Sequence, residues 1–202
     1  MIETIKNNPR LRRLVLWLIC PDGHPRPRWW VRAFLTPLLH RHGKGAKISR
    51  RARLDIFPWH RFYLGAGTRI EDFSVINNGS GDVVLGEQNY IGIGTIIVGP
   101  VETGRGVGIG QHVSVQGFNH GYEDVDTPPL LQSVTKRPVK IGDYTHLNTN
   151  VVVLGGVTIG ERCQIGAGAV VTHDIPPYSV AVGNPARVVK QYDFGSKTWI
   201  KC

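Results

Sequence analysis

A solenoid of short parallel strands, the parallel β-helix, is the fold class predicted by this 202-residue sequence, and three observations carry it. Aliphatic residues recur every six positions: Leu85, Ile91, Ile97, Ile109 and Val115 on one grid, and Ile141, Leu147, Val153, Ile159, Ile165 and Val171 on another. Glycine follows the aliphatic position at 86, 92, 104, 110, 142, 160 and 166. A small or β-branched residue stands four places after it at Thr95, Val101, Val113, Thr145, Val151, Val157, Cys163 and Ala169. A six-residue period fits neither an amphipathic helix nor an alternating strand. It fits a coil in which each hexapeptide supplies one short strand and one corner, aliphatic side inward, with coils stacked as rungs. Glycine is expected at the corners for its backbone freedom. Thr103 occupies a grid position where an aliphatic residue is expected.

Along the chain, residues 1–47 form a basic helical cap. Residues 2–20 predict a helix in which Ile5, Leu11, Leu14, Val15 and Leu18 share a face edged by Arg10, Arg12 and Arg13, stopped by Pro21-Asp22-Gly23, Pro25 and Pro27. A second helix is expected over 28–35, carrying Trp29, Trp30 and Phe34, before Pro37 disturbs it. These helices can cover the open strand edge of the first coil, or lie in a membrane interface with Trp and Leu among headgroups and cations over anionic lipid. The two roles are compatible. Residues 48–184 carry the coil. Between Val115 and Ile141 the spacing is 26, not a multiple of six, so 117–138 must leave the coil as an extruded loop. After Val171 the pattern stops at Ile175-Pro176-Pro177. Residues 185–202 are expected to hold a short helix, opened by Pro185 over 186–192, and a tail.

Composition narrows the function classes. The net charge is +9 and unevenly held: residues 1–69 contain 15 Lys/Arg against 3 Asp/Glu, and residues 70–202 contain 9 against 12. A basic segment seeks anionic lipid, nucleic acid or phosphorylated ligands. No recognition helix, finger cysteines or aromatic RNA-binding strand is present, so nucleic acid is not expected as a partner. The three cysteines are scattered, and Cys163 falls on a small inward position, which predicts a buried thiol in a reducing compartment. The apolar run 14–20 is too short to cross a bilayer, which takes about 20 residues, and it lacks a small-residue cleavage site. A cytoplasmic protein is expected, with or without contact to the inner face of the membrane.

The loop opening Gly117-Phe118-Asn119-His120-Gly121-Tyr122-Glu123-Asp124, the coils from Ile141 to Val171, and the tail Asp174-Ile175-Pro176-Pro177-Tyr178 to Gly183-Asn184-Pro185-Ala186 carry a resemblance. Over roughly residues 64–192 the chain resembles the hexapeptide-repeat acyltransferases. Its nearest likeness is to sugar O-acetyltransferases of the maltose/galactoside type and to those of capsule, colanic-acid and lipopolysaccharide modification. The resemblance implies a left-handed coil, a homotrimer, and an acyl-CoA site in the cleft between neighbouring subunits.

Residue by residue, the resemblance implies that His120 is the general base, taking a proton from an acceptor hydroxyl as it attacks the acetyl-CoA thioester. An imidazole is a neutral base near neutral pH, as that task requires. No nucleophilic Ser or Cys motif is present. In the family the coil after Ile141 reads Asp-Asn-Val-Trp-Ile-Gly; here it reads Asp143-Tyr144-Thr145-His146-Leu147-Asn148, so His146 replaces the aromatic beside the CoA arm. Thr149, Ala167 and Thr172 match positions that hold pantetheine, and Lys190 and Arg187 match the cation that meets CoA phosphate. Asn89, Tyr90 and Asn119 are candidates for holding the acceptor. Glu123, Asp124 and Asp126 either orient His120 or stay hydrated.

The expected function is acetyl-CoA-dependent transfer to a hydroxyl of a sugar or glycan precursor, with no metal. Two alternatives use the same coil. One is a zinc enzyme like the trimeric carbonic anhydrases, for which His112, His120 and His146 supply histidines, although 112 and 120 lie eight apart where a close pair is expected. The other is a non-catalytic trimeric scaffold.

Overall fold

The computed structural model describes residues 8–21 and 26–202. Strands mostly two or three residues long wind into a parallel β-solenoid with three faces, two of them six parallel rungs deep and the third seven. Face A stacks β1 (Arg41–His42), β4 (Phe62–Leu64), β7 (Val83–Leu85), β10 (Val101–Thr103), β15 (Val139–Ile141) and β18 (Thr158–Ile159). Face B stacks β2 (Lys47–Ile48), β5 (Arg69–Ile70), β8 (Tyr90–Ile91), β11 (Gly108–Ile109), β16 (His146–Leu147), β19 (Gln164–Ile165) and β21 (Ser179–Val182). Face C stacks β3 (Arg53–Asp55), β6 (Val75–Asn77), β9 (Ile96–Val98), β12 (Ser114–Gln116), β17 (Val152–Val153) and β20 (Val170–Val171). This parallel coil is consistent with the left-handed β-helix that the family resemblance implies.

The grid residues point inward in register: Ile91 opposes Ile70 and Ile109, and Ile97 opposes Ile76 and Val115. All are fully or nearly fully buried. Thr103 is buried too, at 4% exposure, and the interior explains it. Asn89, 2% exposed, donates through Nδ2 to Thr103 Oγ1 at 2.5 Å and accepts from the Val107 N–H at 2.7 Å. A buried amide needs such partners, and Thr103 is one of them.

The glycines after the grid residues have a different cause from the one expected. They do not adopt positive φ; a Cβ there would strike the next coil, its backbone at most of these positions and the Asp143 and Val182 side chains at Gly104 and Gly166. On Gly92 it would stand 2.6 Å from the Gly110 carbonyl oxygen, and on Gly142 2.5 Å from the Glu161 nitrogen. The left-handed position lies two residues further on, where Gly94 and Gly168 (φ 70° each) share one corner with His112 (53°) and Asn150 (60°).

Residues 117–138 do leave the coil. They form a hairpin in which β13 (Phe118–His120) pairs antiparallel with β14 (Val134–Lys136), anchored by the Arg137 N–H to the Gly117 carbonyl. The expected C-terminal helix over 186–192 is replaced by β22 (Arg187–Asp193), which runs antiparallel to β21 and is followed by β23 (Thr198–Lys201). Val188 and Val189 favour extended backbone, and the open edge of β21 offers them hydrogen-bond partners.

At the other end, α1 (Pro9–Ile19) is capped by the Asn8 side chain, which accepts from the Arg10 and Leu11 N–H groups, and it buries none of its residues. Residues 2–7 of the expected helix, Ile5 among them, and residues 22–25 of its expected stop lie outside the described residues. The second helix survives Pro37. A π-helical turn (Val31–Leu35) leads into α2 (Thr36–Leu39), the Thr36 N–H reaching back to the Val31 carbonyl. Val31 is fully buried. The coil itself starts at Arg41, ahead of residue 48, because buried His40 fills the interior where the repeat would show an aliphatic residue; its Nδ1 accepts from the Phe62 N–H at 3.1 Å. No helix among the described residues is long and apolar enough to cross a membrane.

Candidate functional site

The candidate groups fall in three places. His120 is exposed on β13, paired with Val134, its ring edge-on to Phe118 at 5.4 Å. Its hairpin leaves from the edge joining faces C and A. Thr172 lies on that edge as well, just after β20, its hydroxyl 2.8 Å from His173 Nδ1. Asn119 alternates with His120 along β13 and so faces the other side of the hairpin.

The second group lies along the opposite edge, joining faces B and C. Gln111, Thr149 and Ala167 succeed one another there coil by coil. Gln111 Oε1 accepts from the Thr149 hydroxyl at 2.7 Å, and the Gly168 N–H donates to the Thr149 carbonyl at 2.9 Å. Arg187 pairs with Val182 beside this edge. The third group is on the outer surface of face B. Tyr90, Gly108 and His146 are register partners on successive rungs, with Tyr90 and His146 exposed. A side chain at 108 would meet the His146 ring, so glycine there leaves the imidazole room to lie flat along the sheet. Exposed Lys190 sits on the hairpin that extends the same face.

One candidate is corrected. Asn89 is not a substrate contact: it is sealed in the core and both its amide atoms are engaged there. The acidic loop is built into its own turns. Glu123 Oε2 accepts from the Tyr122 N–H, which holds that carboxyl below its usual range. Hydrogen bonding from Thr127, and then from the Asp126 N–H, does the same for Asp124.

Cys163 is buried, as its inward position predicts, and burial pushes its thiol pKa up. His112 stands exposed at a left-handed corner over Gly94. Among the described residues no group of three His, Cys, Asp or Glu side chains is arranged to hold a metal ion.

Two groups escaped the sequence reading. Gln111 fixes the Thr149 hydroxyl. His60 tethers the extruded hairpin: its Nδ1 is 2.7 Å from the Asn78 carbonyl, and Lys136 Nζ of β14 lies 3.2 Å from its Nε2. A 76-residue separation leaves no sequence signal for such a contact.

Residues 138–173 match the family model of the bacterial transferase hexapeptide with six repeats. A probable acetyltransferase of Mycobacterium tuberculosis is 34% identical over 150 residues, 73% of this chain and 48% of that protein. A putative acetyltransferase of Staphylococcus aureus is 59% identical over 56 residues, 28% of each chain. The chain thus spans about half the length or less of these relatives. A crystal structure of AntD, an N-acyltransferase from Bacillus cereus, in complex with dTDP and 3-hydroxybutyryl-CoA, superposes with a TM-score of 0.68 over 82% of this chain and 90% of that one; at 21% identity the likeness is one of fold. The putative lipopolysaccharide biosynthesis O-acetyl transferase WbbJ of Escherichia coli is 30% identical over 151 residues, 69% of this chain and 74% of that protein. With the repeat, the parallel coil and that coverage together, the chain belongs to the bacterial hexapeptide-repeat transferases.

Proposed function

We propose that this protein transfers an acetyl group from acetyl-CoA to a hydroxyl of a sugar or glycan precursor, as a homotrimer with His120 as general base. The carrying observation is the division of its candidate groups across face C. His120 and Thr172 lie on one edge; Thr149, Ala167 and Arg187 lie on the other. Most outward side chains between them are apolar (Val75, Ile96, Val98, Val152, Leu154 and Val170), with Asn77, Ser114 and Gln116 the polar members. Packing this surface against neighbouring copies removes it from water and sets the His120 edge of one copy beside the Thr149 edge of the next. A single chain cannot do this.

In that cleft a neutral His120 accepts the proton of the acceptor hydroxyl while the oxygen attacks the thioester carbon. The new C–O bond forms, the C–S bond breaks, and the imidazolium returns the proton to the departing sulfur. A backbone N–H of the coil meets the oxyanion. The corner at Thr149 and Ala167 follows the pantetheine, His146 and Tyr90 flank it on face B, and Arg187 and Lys190 face the phosphates. Oxygen as the acceptor atom is supported by the likeness to the E. coli lipopolysaccharide biosynthesis O-acetyl transferase, matched over 74% of its length.

The test is release of CoA thiol with a sugar acceptor. His120→Ala should lower turnover at least ~10²-fold, the scale of a positioned acid/base group, while the far-ultraviolet spectrum and CoA affinity stay those of the parent. Near-normal turnover in that variant removes His120 from the mechanism.

A further inference from the structure

The N-terminal cap carries a surface that acyl transfer does not use. α1 buries none of its residues. Leu14 and Trp17, with Arg10 and Arg13, line one concavity of about 410 Å3. Trp17, Leu18, Arg28 and Trp29 line another of about 420 Å3. The Arg28 guanidinium lies 4.6 Å over the Trp17 ring and donates to the Trp17 carbonyl at 2.9 Å. Trp29 is 67% exposed and Leu38 81%. Large apolar side chains this open to water, gathered on one end of a domain, mark an interaction surface.

Charge identifies the occupant. Among the described residues up to 69, the one carboxylate is Asp55. It is buried at 2% exposure, under Arg53 at 2.9 Å and beside Arg26 at 3.9 Å. The cap therefore offers apolar groups and unneutralised arginines. A second copy is a poor fit, since apposing two such caps sets arginine against arginine, with no exposed carboxylate among the described cap residues and 15 Lys/Arg against 3 Asp/Glu in residues 1–69.

We propose that the cap docks on an anionic lipid bilayer, with α1 in the plane of the interface. Leu14, Trp17 and Trp29 sit at the headgroup–acyl boundary, and Arg10, Arg13 and Arg28 lie over lipid phosphates. The inference does not rest on the acyl-transfer reading, because its readout is binding.

The experiment is co-sedimentation of the full chain with neutral phosphatidylcholine vesicles and with vesicles containing about 30 mol % phosphatidylglycerol. Sedimentation with the anionic vesicles alone is expected, with a blue shift of tryptophan emission and weakening as salt rises. Arg10→Gln and Arg13→Gln should each weaken binding about fivefold, and the double variant Trp29→Ala/Leu38→Ala at least ~10-fold. Failure to sediment with anionic vesicles overturns the proposal, as does equal binding to neutral ones. It is also overturned if light scattering shows the apolar variant dissolving a self-association of parent chains that bind no lipid.

Discussion

Replacing Thr103 with valine sets the repeat pattern against the interior. By the pattern, valine restores the aliphatic grid and should stabilise the coil. By the structure, it removes the oxygen that accepts from Asn89 Nδ2 at 2.5 Å and shares the Gly86 N–H at 3.1 Å. The gain from exchanging a buried hydroxyl for a methyl is about 0.8 kcal/mol. The loss is a buried amide donor without a partner, about 1–3 kcal/mol, because Asn89 is 2% exposed and water cannot replace Thr103. Gly86 keeps the Thr103 carbonyl at 3.1 Å, so the loss falls mainly on Asn89. The net expectation is destabilisation by up to ~2 kcal/mol, a fall in Tm of several degrees for a chain of this size. Urea unfolding at fixed protein concentration reads it, and an internal control makes the reasoning strict. In an Asn89→Ala background no amide is left to strand, so Thr103→Val should become neutral or mildly stabilising. A single variant that unfolds at higher urea than the parent, or the same destabilisation in both backgrounds, would refute the account of Thr103.

Other expectations are simpler to state. Gly92→Ala places a methyl 2.6 Å from the Gly110 carbonyl oxygen, against the backbone of the next coil, and should cost several kcal/mol or abolish folding; Gly168→Ala, where the φ is left-handed and nothing lies within 4 Å of the new methyl, should cost about 1 kcal/mol. Comparing their melting curves separates stacking from backbone freedom. Burial holds the His40 and His42 imidazoles below the ordinary 6.5, with His42 adding repulsion at His40 and a Phe57 backbone hydrogen bond opposing it. Their stabilising contribution is complete above the unfolded value and lost as pH falls through the lowered folded values. Tm should therefore drop below about pH 6.5, less steeply in His40→Gln, and a Tm independent of pH there would count against desolvated neutral imidazoles at these two positions.

Much of this architecture was legible in one dimension. The six-residue period locates the inward residues, and the spacing of 26 between Val115 and Ile141 marks the extruded loop. Periodicity works here because each rung repeats the same local environment, so burial is written in step with the sequence. Where the environment stops repeating, the reading failed. Asn89 looked like a polar surface group and is a core residue, because its partner Thr103 lies 14 residues away on another strand. The glycines after the grid residues looked like corners and are contact points between coils. The C-terminal segment paired with an edge that only the assembled coil creates.

The candidate site divides in the same way. Residue identities at His120, Thr149, Ala167 and Arg187 were readable, but their distribution over two edges of face C was not, since it follows from how many residues each coil spends per turn. By itself the sequence determined which side chains face inward and that one loop is expelled, because hexapeptide spacing and burial are local. Tertiary structure alone decided which polar groups are sealed in the core, which edge carries the imidazole, and that Lys136 of the hairpin is held by His60. Those depend on contacts between coils far apart in the chain.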